Sequence, residues 1–251
     1  MSQASMNFGV QSYCFRHFTD NHEVAAKVKE IGVSSIEICG IHADFNDVEA
    51  WKDVVKIYED AGVNIVSIGV QTFTGDAEVE RKWFECAQIA GAKHISAHFT
   101  VGTFREAVPA TAALCKEFGI KVGIHTHGGY MFGGSPDVMT ELISLGDGEI
   151  GICLDTAWCM QIGPARGNPV QWLEEFKDSI FGVHYKDFIF ESNAQWQDVV
   201  VGTGTLDLPA FVDKLNEIGF DGMAVIEYEA DVEAPVPALT ECVNKMRELA
   251  Q

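Results

Sequence analysis

The chain has 251 residues, 47% of them hydrophobic and 22% charged, with a formal net charge of −20. Chains of this size bury roughly 70–75% of the surface they expose when unfolded, so one large domain or two small ones both fit, and the apolar fraction excludes intrinsic disorder. With 37 acidic residues against 17 basic ones, the chain repels phosphate backbones and anionic lipid heads, which argues against general nucleic-acid or membrane binding but allows a local basic pocket.

No run of about 18 or more apolar residues occurs, so no transmembrane helix is expected. Met1 to Asn7 lack both a basic region and an apolar stretch, so no signal peptide is expected. The seven cysteines are scattered and form no CxxC pair. They are expected to be small buried hydrophobes in a reducing cytoplasm, with a cysteine nucleophile as the alternative.

Strand and helix signals alternate along the chain. A β-rich run over 8–13 precedes a helix over 23–29; a strand over 35–38 precedes a helix over 48–59. Strands over 65–68, 94–97 and 122–125 alternate with helices over 78–90, 104–118 and 136–145. Strands over 150–154, 180–184 and 223–226 are followed by helices over 169–176, 208–218 and 237–249, with a longer gap before the last strand. Helical stretches close on Gly32, Gly62, Gly91, Gly119, Gly146 and Gly219, the residue type suited to the left-handed position past a helix end. The short apolar runs that follow suit strands buried on both faces. Strand–helix alternation implies a parallel sheet with right-handed crossovers. Eight such units in about 250 residues match a (β/α)8 TIM barrel, an α/β fold spanning 1–251 as a single domain. The rival is a doubly wound open sheet, which wants a glycine-rich phosphate turn after an early strand; Gly202-Thr203-Gly204 stands alone and late.

Barrel chemistry sits at the C-terminal ends of the strands, and here apolar strands end in polar residues. The second ends in Glu37, the fourth carries His94 and His98, and the fifth carries His125 and His127. The sixth ends in Asp155 with Trp158 beyond it, the seventh in His184, Lys186 and Asp187, and the eighth in Glu227 and Glu229. Side chains two apart share a strand face, so His125 pairs with His127 and His184 with Lys186. Each has an ordinary alternative role. Asp155 would cap a helix, His94 would be a hydrogen-bonded core residue, Glu37 would join an ion pair, and Lys186-Asp187 would form a salt-bridged rim. Taken together, successive strands ending in His, Asp, His and Glu converge on one axis, where unpaired buried charges are costly unless neutralised. A divalent cation on His125 or His127, Asp155, His184 and Glu227 would neutralise them. Mixed nitrogen and oxygen ligation favours Mn²⁺, Co²⁺, Fe²⁺ or Zn²⁺ over Mg²⁺, with Mn²⁺ the first expectation.

Several segments carry a resemblance in their order: Ser35-Ile36-Glu37-Ile38, Cys153-Leu154-Asp155-Thr156-Ala157, Val183-His184-Tyr185-Lys186-Asp187 and Val225-Ile226-Glu227-Tyr228-Glu229. The late stretch Gly202 to Asp207, with Leu215 and Gly219 to Gly222, adds to it. The chain resembles, over nearly its whole length, the sugar isomerase/epimerase family with the xylose-isomerase-like barrel. That superfamily also holds tagatose/psicose 3-epimerases, inosose dehydratase and endonuclease IV. The resemblance implies a divalent metal on a Glu, Asp, His, Glu set, of which Asp155, His184 and Glu227 match the last three. His125 stands where the epimerases carry the first glutamate, and His125-Thr126-His127-Gly128-Gly129 looks more like inosose dehydratase. Of the two proton-exchanging glutamates of the epimerases, Glu227 alone has a counterpart.

The implied activity is isomerisation or epimerisation of an unphosphorylated sugar or keto-sugar, by proton abstraction next to a carbonyl and a metal-stabilised enediolate. Base candidates are Glu227, His127 and Glu37, with Lys186 stabilising an oxyanion or supplying an acid. His98, Trp158, Tyr13 and Phe15, together with Tyr130, are candidate substrate contacts, barrel-to-helix packing being the other role open to the aromatics. Alternatives are a lyase (inosose-type dehydratase or 3-keto-glycoside β-elimination) and a non-catalytic sugar-binding barrel. An endonuclease-like zinc site drawing on His42, His98, His125, His127 and His184 is opposed by the negative charge. The expected partner is a small sugar in the cytoplasm, without nucleic acid or membrane, and such barrels often form homo-oligomers.

Overall fold

A computed structural model of the chain describes residues 8–128, 132–193 and 195–249; Tyr130 lies outside the described residues. The short apolar runs become strands: β1 (Gly9–Gln11), β2 (Ser35–Ile38), β3 (Asn64–Phe73), β4 (His94–Phe99), β5 (Lys121–His125), β6 (Ile150–Asp155) and β7 (Ile180–Tyr185). A hairpin of β8 (Asp187–Phe190) and β9 (Trp196–Val199) follows, and β10 (Met223–Ile226) completes the set. The barrel closes in the order β1-β10-β7-β6-β5-β4-β3-β2, and its neighbours all pair in parallel.

The helices are α1 (Asn21–Glu30), α2 (Val48–Asp60), α3 (Ala77–Ile89), α4 (Phe104–Phe118), α5 (Pro136–Ser144), α6 (Thr156–Gln161), α7 (Pro169–Glu175), α8 (Leu208–Glu217) and α9 (Val236–Glu248). Many begin where an Asp, Ser or Asn side chain accepts a first-turn N–H, as Asp47 does from Ala50 at 3.0 Å, which satisfies an otherwise orphaned donor. Gly119 ends α4 in the left-handed conformation, φ 67°, as the sequence pattern predicts. Gly146 departs from that pattern: the positive φ falls on Asp147 and Gly148. Gly146 is required by space instead, since a Cβ there would lie 2.4 Å from Ile150 Cβ.

The apolar core lies mostly between strands and helices, with Trp51, Phe84, Trp172 and Phe211 fully buried. All seven cysteines are free and buried. Burial pushes thiols such as Cys86 and Cys115 up to about 12, so they are poor nucleophiles at neutral pH.

Three local features differ from the sequence reading. Residues 12–15 form a 3₁₀ turn rather than a strand continuation, so Tyr13 sits above the strand end. The longer gap before the last barrel strand contains the β8–β9 hairpin, which is antiparallel and outside the barrel. Its two strands are only partly buried, with Ile189 at 45% and Trp196 at 44% exposed, and β9 interrupts its apolar residues with Gln197 and Asp198, unlike fully buried barrel strands such as β6 and β10. The short α6, which the Asp155 cap allowed but which is not among the helical stretches read from the sequence, begins directly at the tip of β6 and matters for the site. Among the described residues no helix is long and apolar enough to cross a membrane.

Candidate metal centre

Strand register places the chemistry at one end of the barrel. Asp155 is level with His184, and His184 with Val225, so Glu227 emerges just past the tip of β10, its N–H donating to Tyr185 C=O at 3.0 Å. His125 ends β5 beside Cys153 of β6. In consequence His125, Asp155, His184 and Glu227, all buried, each offer a ligand atom within 4.8 Å of the others. His184 Nδ1 lies 2.9 Å from Glu227 Oε2. His125 Nε2 lies 3.5 Å from Asp155 Oδ2 and 3.8 Å from Glu227 Oε2. No other group of this kind occurs among the described residues.

The buried carboxylates favour positive charge on the groups beside them. Burial pulls the His184 imidazole down, yet Cys153, Glu37 and Glu227 outweigh it and hold it well above the usual histidine value. The His125 imidazole is raised against its own burial by Asp155 and Glu227. Glu227 is held well below the carboxylate range: burial opposes this, and Lys186, His125 and His184 prevail. Even so, His125 Nδ1 and Nε2, Asp155 Oδ2 and Glu37 Oε2 remain buried without a hydrogen-bond partner. Each such orphan costs about 1–3 kcal/mol. One divalent cation among these atoms would relieve several of them at once, so the residues present fit a metal.

Asp155 combines the two roles that the sequence left as alternatives. Its Oδ1 accepts from Trp158 N–H at 2.9 Å and caps α6, while Oδ2 faces His125. Two threonines align the strand tips. Asp155 N–H donates to Thr126 Oγ1 at 2.8 Å. Lys186 N–H donates to Thr156 Oγ1 at 3.0 Å, and Thr156 Oγ1 donates back to Lys186 C=O at 2.5 Å. Sequence reasoning missed both, although each directly follows a ligand candidate, in His125-Thr126 and Asp155-Thr156.

Behind the centre, Glu37 is fully buried on β2. It accepts from Gln11 Nε2 and from Ser96 Oγ, the latter at 2.8 Å. Its Oε1 lies 3.2 Å from His184 Nε2, an ion-pair distance out of line for a hydrogen bond. Lys186, 1% exposed, is clasped by Glu229 and lies 3.6 Å from Asp198 Oδ2 of β9. Burial would strip its proton, but Glu227, Asp155, Glu229 and Asp198 raise its pKa above the ordinary lysine value. Asp187 does not pair with Lys186; its carboxylate accepts the N–H groups of Gly202, Gly204, Thr205 and Leu206 at 2.9–3.0 Å and pins that loop.

A cavity of about 420 Å³ opens over the centre, lined in part by Tyr13, His98, His125, His127, Trp158 and Glu227. His127 stands outside the ligand group; its ring stacks on Trp158 with centroids 4.1 Å apart. Gly128 makes room for this, since a Cβ there would lie 2.4 Å from Trp158 O. His98 packs edge-on to His125 at 5.5 Å, and burial and the neighbouring imidazoles push it down to about 3. Phe15 is fully buried in the core and Glu37 is sealed below, and neither lines the cavity. His42 is spoken for by Ser12 Oγ at 3.1 Å and Phe18 O at 2.9 Å. His94 starts β4, at the opposite end of the barrel from the centre.

The family model of the xylose isomerase-like TIM barrel matches residues 25–249. The chain belongs to this family. An uncharacterized protein of Methanocaldococcus jannaschii is 25% identical over 119 residues, 45% of this chain and 39% of that protein. The chain thus spans about two fifths of the length of this curated relative. Among solved structures, the apo 3-keto-D-glucoside 4-epimerase of E. coli superposes with a TM-score of 0.73 at 20% identity, covering 96% of this chain and 98% of that one. An IolI protein with a bound zinc atom superposes with a TM-score of 0.72 at 15% identity, covering 96% of this chain and 95% of that one. At these identities the structural matches speak for the fold.

Proposed function

We propose that this protein is a divalent-metal-dependent isomerase or epimerase of an unphosphorylated sugar or keto-sugar, acting by proton abstraction next to a carbonyl. The observation that carries this reading is the buried group of His125, Asp155, His184 and Glu227, converging within 4.8 Å in a xylose isomerase-like barrel. A cation held there supplies positive charge that stabilises the negative charge developing on the substrate oxygens as the proton leaves. Two imidazoles and two carboxylates suit Mn²⁺, and the zinc in the IolI structure makes Zn²⁺ the next choice.

The chain's own groups complete the chemistry. His127 lines the cavity with a buried, unpartnered Nδ1, and burial keeps its imidazole below the usual value; it is the base. Lys186 stays charged beside the cavity and opposes developing negative charge. Glu37 lies behind His184, 3.2 Å from its Nε2, where its charge favours the positive form of that imidazole. Tyr13 and Trp158 offer ring surface to the apolar side of a sugar. No Lys or Arg lines the cavity among the described residues, which favours a neutral sugar over a sugar phosphate. The epimerase from E. coli, named for a keto-glucoside, supports a carbonyl-bearing ring.

The test is solvent-deuterium exchange. Manganese-loaded protein is incubated with a panel of ketoses, keto-glycosides and inososes in D₂O and followed by proton NMR. Deuterium is expected at the carbon beside the carbonyl, and only with metal present. No exchange across the panel refutes the reading, and an enone or released aglycone replaces it with the lyase.

A further inference from the structure

A second cavity, larger than the one over the metal centre, lies beside it. It is a groove of about 1500 Å³, larger than the roughly 300–1,000 Å³ of most small-molecule pockets. The two share His127 and Trp158 as a common wall. The groove runs between α6, the 162–168 loop and the start of α7 on one side, and the β8–β9 hairpin and the start of α8 on the other. Ile162 and Val170 line it on the helical side, and Phe190 and Trp196 on the hairpin side.

The two indoles on the groove are in contact, with the buried Phe188 packed against both. Trp158 meets Trp196 edge-on at 5.3 Å and Phe188 edge-on at 5.0 Å. Phe188 stacks on Trp196 at 5.8 Å, interplanar angle 28°. Trp196 remains 44% exposed, although an indole so placed gains most when a second apolar surface covers it. Apart from the shared His127 imidazole and the two indoles, the polar side chains on the groove are the amides of Gln161 and Asn168, the Thr205 hydroxyl and one carboxylate, Asp207. That carboxylate accepts Ala210 N–H at 3.1 Å as the cap of α8. No Lys or Arg lines the groove among the described residues, so nothing there would neutralise a phosphate or a carboxylate.

We propose that this groove is a second binding subsite, which takes a neutral, planar apolar group attached to the sugar whose ring lies over the metal centre. The inference rests on the sugar reading above and names its substrate class: glycosides with an aromatic aglycone rather than free monosaccharides. The shared Trp158–His127 wall sets the joint between the two halves of such a molecule. The hairpin supplies the selective surface, because Trp196 and Phe190 belong to it and not to the barrel strands.

The experiment is isothermal titration calorimetry on the manganese-loaded full chain, with 4-nitrophenyl and methyl glycosides compared in pairs (β-glucoside, β-galactoside, α-mannoside). At least one 4-nitrophenyl glycoside is expected to bind about tenfold tighter than its methyl partner, as stacking on exposed aromatic rings provides. Trp196→Ala, and separately Val170→Asp, should erase that advantage while leaving the melting midpoint and manganese binding intact. Absence of any aryl advantage, whether both partners bind or neither does, overturns the proposal, as does an advantage that survives both substitutions. An aryl advantage together with no deuterium exchange on any keto-sugar leaves the groove assignment standing and refutes the isomerase reading alone.

Discussion

Asp155 offers a test in which two functions of one carboxylate are separated oxygen by oxygen. Its Oδ1 caps α6 through Trp158 N–H at 2.9 Å, and its Oδ2 is buried, unpartnered and 3.5 Å from His125 Nε2. Asparagine caps a helix about as well as aspartate, whereas alanine in place of a capping residue costs roughly 1 kcal/mol. Both substitutions lose the charge facing His125, so without metal the cap is read from their difference: Asp155→Ala should melt about 2–4 °C below Asp155→Asn, the shift expected per kcal/mol for a chain of this size. With manganese at 100 times its dissociation constant, a one-site ligand adds about 2.7 kcal/mol to the parent, or roughly 5–11 °C. Both variants should lose that gain, because each removes the carboxylate oxygen that faces the centre. The assay is calorimetric unfolding in EDTA and in excess Mn²⁺. The reasoning fails if Asp155→Asn keeps the full manganese-dependent shift. It fails equally if the two variants are destabilised alike in EDTA, since the cap would then contribute nothing.

Three further outcomes follow from the geometry. Thr156→Val removes the acceptor of the buried Lys186 N–H and should cost about 1–3 kcal/mol in urea unfolding; a loss of a few tenths would show that the strand tips are aligned otherwise. His127→Gln should lower the exchange rate about 10²–10⁴-fold, the range for loss of a general base, while manganese-dependent melting is unchanged because His127 lies outside the ligand group. Asp198, pushed up to about 7 chiefly by burial, is neutral in the folded chain between its unfolded value near 3.9 and that point. Over this window the native state holds a proton that the unfolded state releases, so its contribution to stability is lost as pH rises. The stability of Asp198→Asn relative to the parent should therefore grow from pH 4 to 7 and level off above, read from urea midpoints in EDTA; a difference constant with pH contradicts the burial of that carboxyl.

The sequence was most informative where local rules and burial agree. Helix boundaries such as Phe104–Phe118 lie where the pattern predicts, because a Gly119 in the left-handed region ends the helix whatever surrounds it. The polar strand ends at His125, Asp155, His184 and Glu227 stand out because an ionisable group closing an apolar run has few ordinary explanations. It was less informative where a residue serves two partners. Asp155 was legible as a cap or as a ligand, but not as both, since that depends on where its second oxygen points. His125 and His127 share a strand-end motif, and only the turn of the chain at Gly128 against Trp158 O sends one into the ligand group and stacks the other on an indole.

By itself, then, the order of residues determined the barrel, its parallel closure and the end at which the chemistry gathers, because these follow from periodicity and from the cost of burying charge. Only the tertiary structure decided which atoms meet. Parallel register levels Asp155 with His184, residues 29 positions apart are joined by the Thr126 hydroxyl, and a hairpin outside the barrel supplies Asp198 to Lys186 and Trp196 to the groove. Such contacts depend on strand stagger and on loops that fold against the mouth, and neither leaves a short-range trace in the chain.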